Sequence, residues 1–375
     1  MSKGEYKMEN CIGIINLDEN EDRMGALVKK RPLASVPIAG RYRIIDFILS
    51  NMTNSGIESI AIFTKNKSRS LMDHLANGRP WDLHRKKDGL KFFNFGNEDP
   101  SYDDVHCFLE NLDCIKLSKK EYVLLAPSYM IANIDFRGFI KAHKKSKNDI
   151  SIMYKSVNTA KKEFIDCDVL DINSDNRVES IGKNIGSNNE INVSMEMFCM
   201  RTDLFIDIIY NCIKCGRNRK VKNYIKDNLD KLNVKAYEFK GYLQCINSLN
   251  SYYNMNQKLL EPTAIKDLFY DSKPIYTKTK DEAPTKYCEN SEVVNSIIAN
   301  GCYIEGKVEN SIVSRRVYIG EGVKLKNCII LPNTKIGDNA VLEGVITEKG
   351  ATIKEGERYI GNAESLVVIK PVKFI

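Results

Sequence analysis

Three tetrapeptides, Asn295-Ser-Ile-Ile, Asn310-Ser-Ile-Val and Asn327-Cys-Ile-Ile, recur at steps of 15 and 17 residues. Between them fall pairs of the form apolar-x-apolar: Cys302 and Ile304, Val317 and Ile319, Val323 and Leu325, Thr334 and Ile336, Ala340 and Leu342, Ala351 and Ile353. Gly306, Gly320, Gly322, Gly337 and Gly356 punctuate the pairs. Short strands on a near-six-residue step with glycine corners are the signature of a hexapeptide β-helix. One coil cannot bury its apolar edge alone, so coils must stack. An antiparallel sandwich would space its strands 8 to 12 residues apart and join them by hairpins, which this pattern does not.

The preceding 260 residues have another texture. Cys11 to Leu17 is a short apolar run of the kind buried in a parallel sheet. Ile44, Ile45, Ile48 and Met52 fall at helical spacing, and Asn54-Ser55-Gly56 ends that helix. Ile57 to Thr64 reads as a strand, and Ser68 to Leu75 as a helix capped by Ser68. Further strands are expected at Tyr122 to Ala126, Ile150 to Val157 and Val193 to Met200, with helices at Phe136 to Lys145 and Asp203 to Ile213. Such alternation implies right-handed βαβ units and a sheet covered by helices. Glu261 to Pro284, rich in Pro, Lys, Thr and Asp, reads as a linker. The expected division is therefore an α/β domain over residues 1–260, a linker over 261–284 and a β-helix over 285–375.

Composition excludes several classes of function. The net charge of +7 comes from dispersed basic residues, without the basic stripe that nucleic acid requires. It suits anionic small molecules or an acidic partner better. No stretch reaches the roughly 18 apolar residues that span a membrane, and Met1 to Asn10 lacks the apolar core of a signal peptide. The 11 cysteines are odd in number and scattered, with Cys11, Cys199, Cys302 and Cys328 inside apolar runs. A reduced, cytoplasmic chain is expected. His74, His84, His106 and His143 stand isolated, without metal-ligand spacing or a nucleophilic triad.

The stretch Arg31-Pro-Leu-Ala-Ser-Val-Pro-Ile-Ala-Gly-Arg-Tyr-Arg-Ile-Ile-Asp-Phe-Ile-Leu-Ser-Asn-Met-Thr-Asn-Ser-Gly-Ile57 carries a resemblance, joined by Ser70-Leu-Met-Asp-His-Leu and Ser194-Met-Glu-Met-Phe. It resembles the N-terminal signature of the bacterial ADP-glucose pyrophosphorylase (glucose-1-phosphate adenylyltransferase) family, and within it the GlgD-type, non-catalytic or regulatory subunit. The resemblance implies a Rossmann-like nucleotidyltransferase domain with a mixed sheet, a C-terminal left-handed parallel β-helix, a tetramer and a role in glycogen synthesis.

That family joins glucose 1-phosphate to ATP and releases pyrophosphate. The chemistry asks for a glycine-rich loop that cradles phosphates, basic groups on them, and carboxylates that hold Mg²⁺. Where active members carry Gly-Gly-x-Gly-x-Arg, this chain has Asn16-Leu-Asp-Glu-Asn-Glu-Asp-Arg23. Side chains there block the close backbone approach a phosphate needs. Four acids, Asp18, Glu19, Glu21 and Asp22, face the place of a polyanion and read as a solvated loop. Leu33 replaces the lysine of Arg-Ala-Lys-Pro, and Ser128 and Tyr129 stand where the metal-binding aspartate is expected. Asn223 falls near the second metal aspartate, and Ser101-Tyr-Asp-Asp-Val105 replaces Arg-Gly-Thr-Ala. Of the sugar-phosphate motif Glu-Lys-Pro only Lys183 remains.

The resemblance thus implies no catalytic residue, no metal site and no cofactor for this chain, with Mg²⁺ belonging to an active catalytic partner. Lys30 and Arg31 match positions near the activator-binding region of catalytic relatives, Arg41 and Arg43 sit in the well-matched Gly-Arg-Tyr-Arg stretch, and these four are the candidate effector-binding residues. Arg41 and Arg43 also fit as anchors of the next helix, paired with Asp46. The implied role is a regulatory subunit in a hetero-oligomer, a tetramer, with a catalytic ADP-glucose pyrophosphorylase subunit, responding to a sugar-phosphate effector. No nucleic acid or membrane partner is expected. Two readings stay open beside it: an active nucleotidyltransferase making ADP-glucose, and a sugar-phosphate sensor or scaffold.

Overall fold

The computed structural model describes residues 10–65, 67–94 and 103–371. It divides into two compact units. One comprises residues 1–19, 47–245 and 273–276, the other residues 20–46, 246–272 and 277–375. Both units are discontinuous in sequence.

In chain order the elements are β1 (Cys11–Asn16), β2 (Pro37–Ile38), β3 (Tyr42–Arg43), α1 (Ile44–Asn54), β4 (Ser59–Thr64), α2 (Arg69–Leu75) and β5 (Gly89–Asn94). There follow α3 (Asp104–Glu110), α4 (Leu112–Ser118), β6 (Tyr122–Ala126), β7 (Met130–Ile131), α5 (Phe136–Ser146) and β8 (Ile150–Val157). The α/β part closes with β9 (Asp168–Ile172), β10 (Val178–Lys183), β11 (Ile191–Arg201), α6 (Thr202–Cys215), α7 (Val221–Asp227), β12 (Val234–Glu238), β13 (Gln244–Cys245) and α8 (Leu249–Lys258).

The main sheet of the first unit runs β10-β9-β11-β6-β1-β4-β5, with β8 branching from β11 and β12 pairing β8. Strands β6, β1, β4 and β5 are parallel, whereas β11 lies antiparallel to β6. The sheet is therefore mixed. Ile12, Ile14 and Ile15 of β1 are all inaccessible, because a central strand covered on both faces has no side on which water is tolerated. Gly13 lets a helix approach: a Cβ there would lie 2.6 Å from the sulfur of Met52.

In the second unit the hexapeptide pattern forms three parallel ladders of five short strands each. Ile304, Ile319 and Ile336 stack in one ladder, Val308, Leu325 and Leu342 in the next, and Val313 above Ile330 in the third. All are buried. Each such side chain is worth about 1.5–3 kcal/mol when withdrawn from water, and it is withdrawn only because the next coil lies over it. All-parallel pairing excludes the sandwich. Asn295, Asn310 and Asn327, which open the repeated tetrapeptides, occupy left-handed corners with φ of 42°, 47° and 53°. Asparagine tolerates that conformation. The corners are tied by Asn295 donating to Asn310 at 2.7 Å and by the Asn327 N–H donating to the Glu309 carbonyl at 3.1 Å.

The structure departs from sequence expectation in two places here. Ser68 does not cap α2; its hydroxyl turns to the Met72 sulfur at 3.7 Å. Part of the stretch read as a linker is helical, Pro262–Ile265 continuing into a π-helical turn Lys266–Tyr270 that buries Leu268. Proline at the first helical position is pre-organised for that start.

A β-branched residue at a left-handed corner costs about 1–2 kcal/mol. Asn327→Val is expected to lower the urea midpoint accordingly, while Asn327→Gly stays near wild type. Equal midpoints for the two variants would show that the corner conformation carries no such preference.

Candidate functional site

Strands β1, β4 and β6 all end at the same edge of the sheet, the place where open α/β sheets receive ligands. Three short segments follow those ends: Leu17 to Glu19, Lys65, and Pro127 to Tyr129. Their side chains do not leave an open cradle. The Glu19 carboxylate accepts hydrogen bonds from the Ser128 backbone N–H and, at 2.9 Å, from the Ser128 hydroxyl. Asp18 pairs with Lys65 at 2.7 Å and Lys220 at 3.0 Å, and Lys220 also donates to the Asp18 carbonyl at 2.9 Å. Burial works against the Asp18 charge, but the two lysines outweigh it and hold its pKa below the usual range.

A second set of charges sits on the neighbouring strands. Lys222, in α7, reaches Glu196 of β11 at 2.7 Å and Asp168 of β9 at 3.4 Å. Lys183 of β10 reaches Asp168 at 2.6 Å. Burial opposes these charges too, yet the lysines keep Asp168 below its ordinary value, and Glu196 with Asp168 keep Lys222 above its own. Glu196 stands at φ 53°, a conformation that costs a glutamate energy, inside a break in the β8–β11 register between Ser194 and Met197. Tyr129, its pKa raised by burial and then by the Glu196 carboxylate, bonds to Glu196 through its hydroxyl.

These facts place the residues singled out from sequence. Of the four acids read as a solvated loop, three turn inward, Asp18 and Glu19 as described and Glu21 as acceptor for the Leu33 backbone N–H, while Asp22 is exposed. Leu33 itself is buried in the second unit. Ser128 is buried and already bonded, and Asn223 is exposed on α7. Ser101 and Tyr102 lie outside the described residues. A divalent cation does not fit these residues: Ser128 and Tyr129 are neutral, and Asp18, Asp168 and Glu196 each hold a lysine. Among the described residues no group of three or more His, Cys, Asp and Glu is arranged to hold a metal ion. No cysteine among the described residues is joined in a disulfide. Cys212 and Cys215 do stand in Cys-x-x-Cys spacing on α6, a pair that the reading of the cysteines as scattered passed over; the first is buried and the second exposed. No helix among the described residues is long and apolar enough to cross a membrane.

The candidate effector residues form part of a larger group within the second unit. Lys280 has its pKa lowered by burial and then by Arg315, Arg43, Lys349 and Arg316. Arg315 feels burial first, then Arg41, against the carboxylates of Glu282 and Asp46. Glu282 pairs with Arg316 at 2.6 Å, and Asp46 accepts from the Arg43 backbone N–H at 2.9 Å. The charge of Arg43 thus reaches Lys280 and that of Arg41 reaches Arg315, and sequence reading missed Lys280, Arg315, Arg316 and Lys349, although the adjacent Arg315-Arg316 in a β-helix coil was a visible signal. Arg31 is half-buried, donating to the Leu27 carbonyl at 3.0 Å with Glu348 as its charged neighbour. Lys30 is exposed.

Asp104, in the first turn of α3, is 4% exposed and accepts from Asn16 at 3.2 Å. Burial, then the Asp18 and Asp103 charges, push its pKa up to about 8 against the pull of Lys220 and the Val221 backbone. The folded state therefore holds a proton that the unfolded chain, titrating near 4, releases. Stability falls as pH rises between those values and levels off above about 8. Asp104→Asn removes this titration, so the variant should gain on wild type in melting temperature from pH 5 to pH 9. A constant difference across that range would mean that Asp104 is ionised throughout.

Comparison with known proteins places this geometry. Residues 22–181 match the family model of nucleotidyl transferases, and residues 283–365 that of the GlmU-like C-terminal hexapeptide. The chain is 36% identical over 362 residues to the glycogen biosynthesis protein GlgD of Bacillus subtilis, covering 96% of this chain and 95% of that one. It is 37% identical over 316 residues to GlgD of Geobacillus stearothermophilus, covering 83% and 81%. It is 30% identical over 355 residues to glucose-1-phosphate adenylyltransferase of Fervidobacterium nodosum, covering 93% and 85%.

Proposed function

This chain belongs to the family of the GlgD glycogen biosynthesis proteins and glucose-1-phosphate adenylyltransferases, and from that membership we propose that it acts in glycogen biosynthesis as a non-catalytic, regulatory subunit of a catalytic homologue. The observation that carries the reading is the self-occupied sheet edge. Glu19 takes the donors of Ser128, and Asp18 takes Lys65 and Lys220. A nucleoside triphosphate brought here would meet carboxylates where phosphoryl transfer needs donors and cations. Like charges 4 Å apart repel by about 4 kcal/mol near a protein surface, so that encounter is unfavourable before any chemistry begins.

The basic group around Lys280 supports the regulatory half of the proposal. Beyond burial, neighbouring cations lower the proton affinity of Lys280 and of Arg315, and an anion that lies among them relieves that repulsion. Guanidinium groups grip phosphate oxygens in pairs, and lysine adds a point charge. A sugar phosphate bound there alters the partner's activity to the extent that it prefers one state of the assembly. Lys30 and Arg31 extend the proposal along the same segment of chain. The oligomer, its tetrameric stoichiometry, the effector and a cytoplasmic setting are parts of this proposal.

Reconstitution with the catalytic subunit from the same cell tests it. The two chains should co-elute, and adding this chain should change the partner's rate or its activation midpoint for sugar phosphates by about 5-fold or more, the usual scale of allosteric coupling. Arg43→Ala with Lys280→Ala should shift that midpoint upward while leaving co-elution intact. Unchanged titrations with and without this chain would contradict the proposal. Lys30→Ala and Arg31→Ala in the same titration test whether the effector site includes them.

A further inference from the structure

Two thiols near the sheet edge are left unused by this reading. Cys167, just before β9, and Cys245, in β13, are separated by 78 residues in sequence, yet their sulfurs lie 3.4 Å apart. Both are buried, 2% and 3% exposed. Their backbones are held in place. The Cys167 N–H donates to the Phe164 carbonyl at 3.1 Å, and its carbonyl accepts from Asn184 at 2.9 Å. Cys245 stands opposite Met130 in the β13–β7 pairing.

We propose that Cys167 and Cys245 form a reversible dithiol–disulfide couple that responds to a small hydroperoxide. A disulfide needs its sulfurs about 2.05 Å apart, so the pair has only a short way to close. Phe164 and Leu243, close neighbours of the two cysteines in sequence, line an open cleft of about 660 Å³. Burial raises the Cys245 thiol well above its ordinary pKa, so its thiolate is scarce and its own attack on peroxide is slow.

The chemistry balances with hydrogen peroxide as the named oxidant. One cysteine sulfur attacks a peroxide oxygen, the O–O bond breaks, one water leaves and a sulfenic acid remains. The second sulfur attacks the first, the S–S bond forms, and the sulfenic oxygen departs as a second water with the second thiol proton. Two thiols lose two electrons, and one peroxide becomes two waters.

The disulfide acts on the sheet edge through its neighbours in sequence. Cys167 precedes Asp168, which holds Lys183 and Lys222. Cys245 pairs with the strand that follows Ser128, which holds Glu19. Closing the bond ties both walls together and should slow their local opening.

The test uses the full native chain exposed to hydrogen peroxide, followed by alkylation of remaining thiols, digestion and mass spectrometry. The expected result is a dithiothreitol-sensitive linked peptide joining Cys167 to Cys245, absent in Cys245→Ser. It should be accompanied by slower amide exchange at residues 128–131 and 164–170. The proposal is overturned if both cysteines remain free thiols at peroxide levels that oxidise the exposed Cys215. It is equally overturned if the linkage forms only after unfolding in urea. Both results are independent of whether the chain regulates a partner.

Discussion

A carboxylate withdrawn from water is costly unless donors or a counter-charge meet it, and the edge of the sheet in this protein is organised around that requirement. Asp18, Glu19, Asp168 and Glu196 crowd within one unit, and each is met from its own chain: by Lys65 and Lys220, by Ser128, by Lys183 and Lys222, and by Lys222 and Tyr129. Glu196 even accepts a left-handed backbone to reach its partners. Removing one member of such a set leaves an uncompensated charge, which is why the network behaves as a structural whole. The groups that a phosphate or a metal ion would recruit are already engaged.

The second unit solves a different problem. Its coils bury apolar edges only by stacking, so its stability is that of a pile whose members depend on their neighbours. Asparagine corners keep the coils in register. On this scaffold burial, and then the charges of Arg315, Arg43, Lys349 and Arg316, lower the proton affinity of Lys280, while burial and then Arg41 lower that of Arg315. The two units therefore have opposite local balances: acids neutralised internally in one, cations only partly offset by Glu282 and Asp46 in the other.

Much of the fold was legible because its periodicities are local. The repeated Asn-x-Ile pattern announces a ladder strand, and the run Cys11 to Leu17 a central strand, whereas the left-handed corners at Asn295, Asn310 and Asn327 came only with the structure. What escaped depends on partners distant in sequence. Glu19 meets Ser128 across 109 residues and Asp18 meets Lys220 across 202; a charge run read by itself looks solvated. Glu196 left a faint trace, one acid within the apolar strand Val193 to Met200. The helical turns at Pro262 to Tyr270 were hidden because a single buried leucine, Leu268, anchors them. The replacements at Leu33, Ser128, Tyr129 and Asn223 are readings of the sequence alone; that Glu19 reaches Ser128 was not legible there.

That this edge performs no adenylyl transfer is tested by pyrophosphate release from the purified chain supplied with ATP, glucose 1-phosphate and Mg²⁺. Losing one electrostatic group commonly costs about 10²- to 10³-fold in rate, and several are absent together, so release should not exceed the enzyme-free blank. A turnover of about 1 s⁻¹, that of a modest enzyme, would contradict the claim.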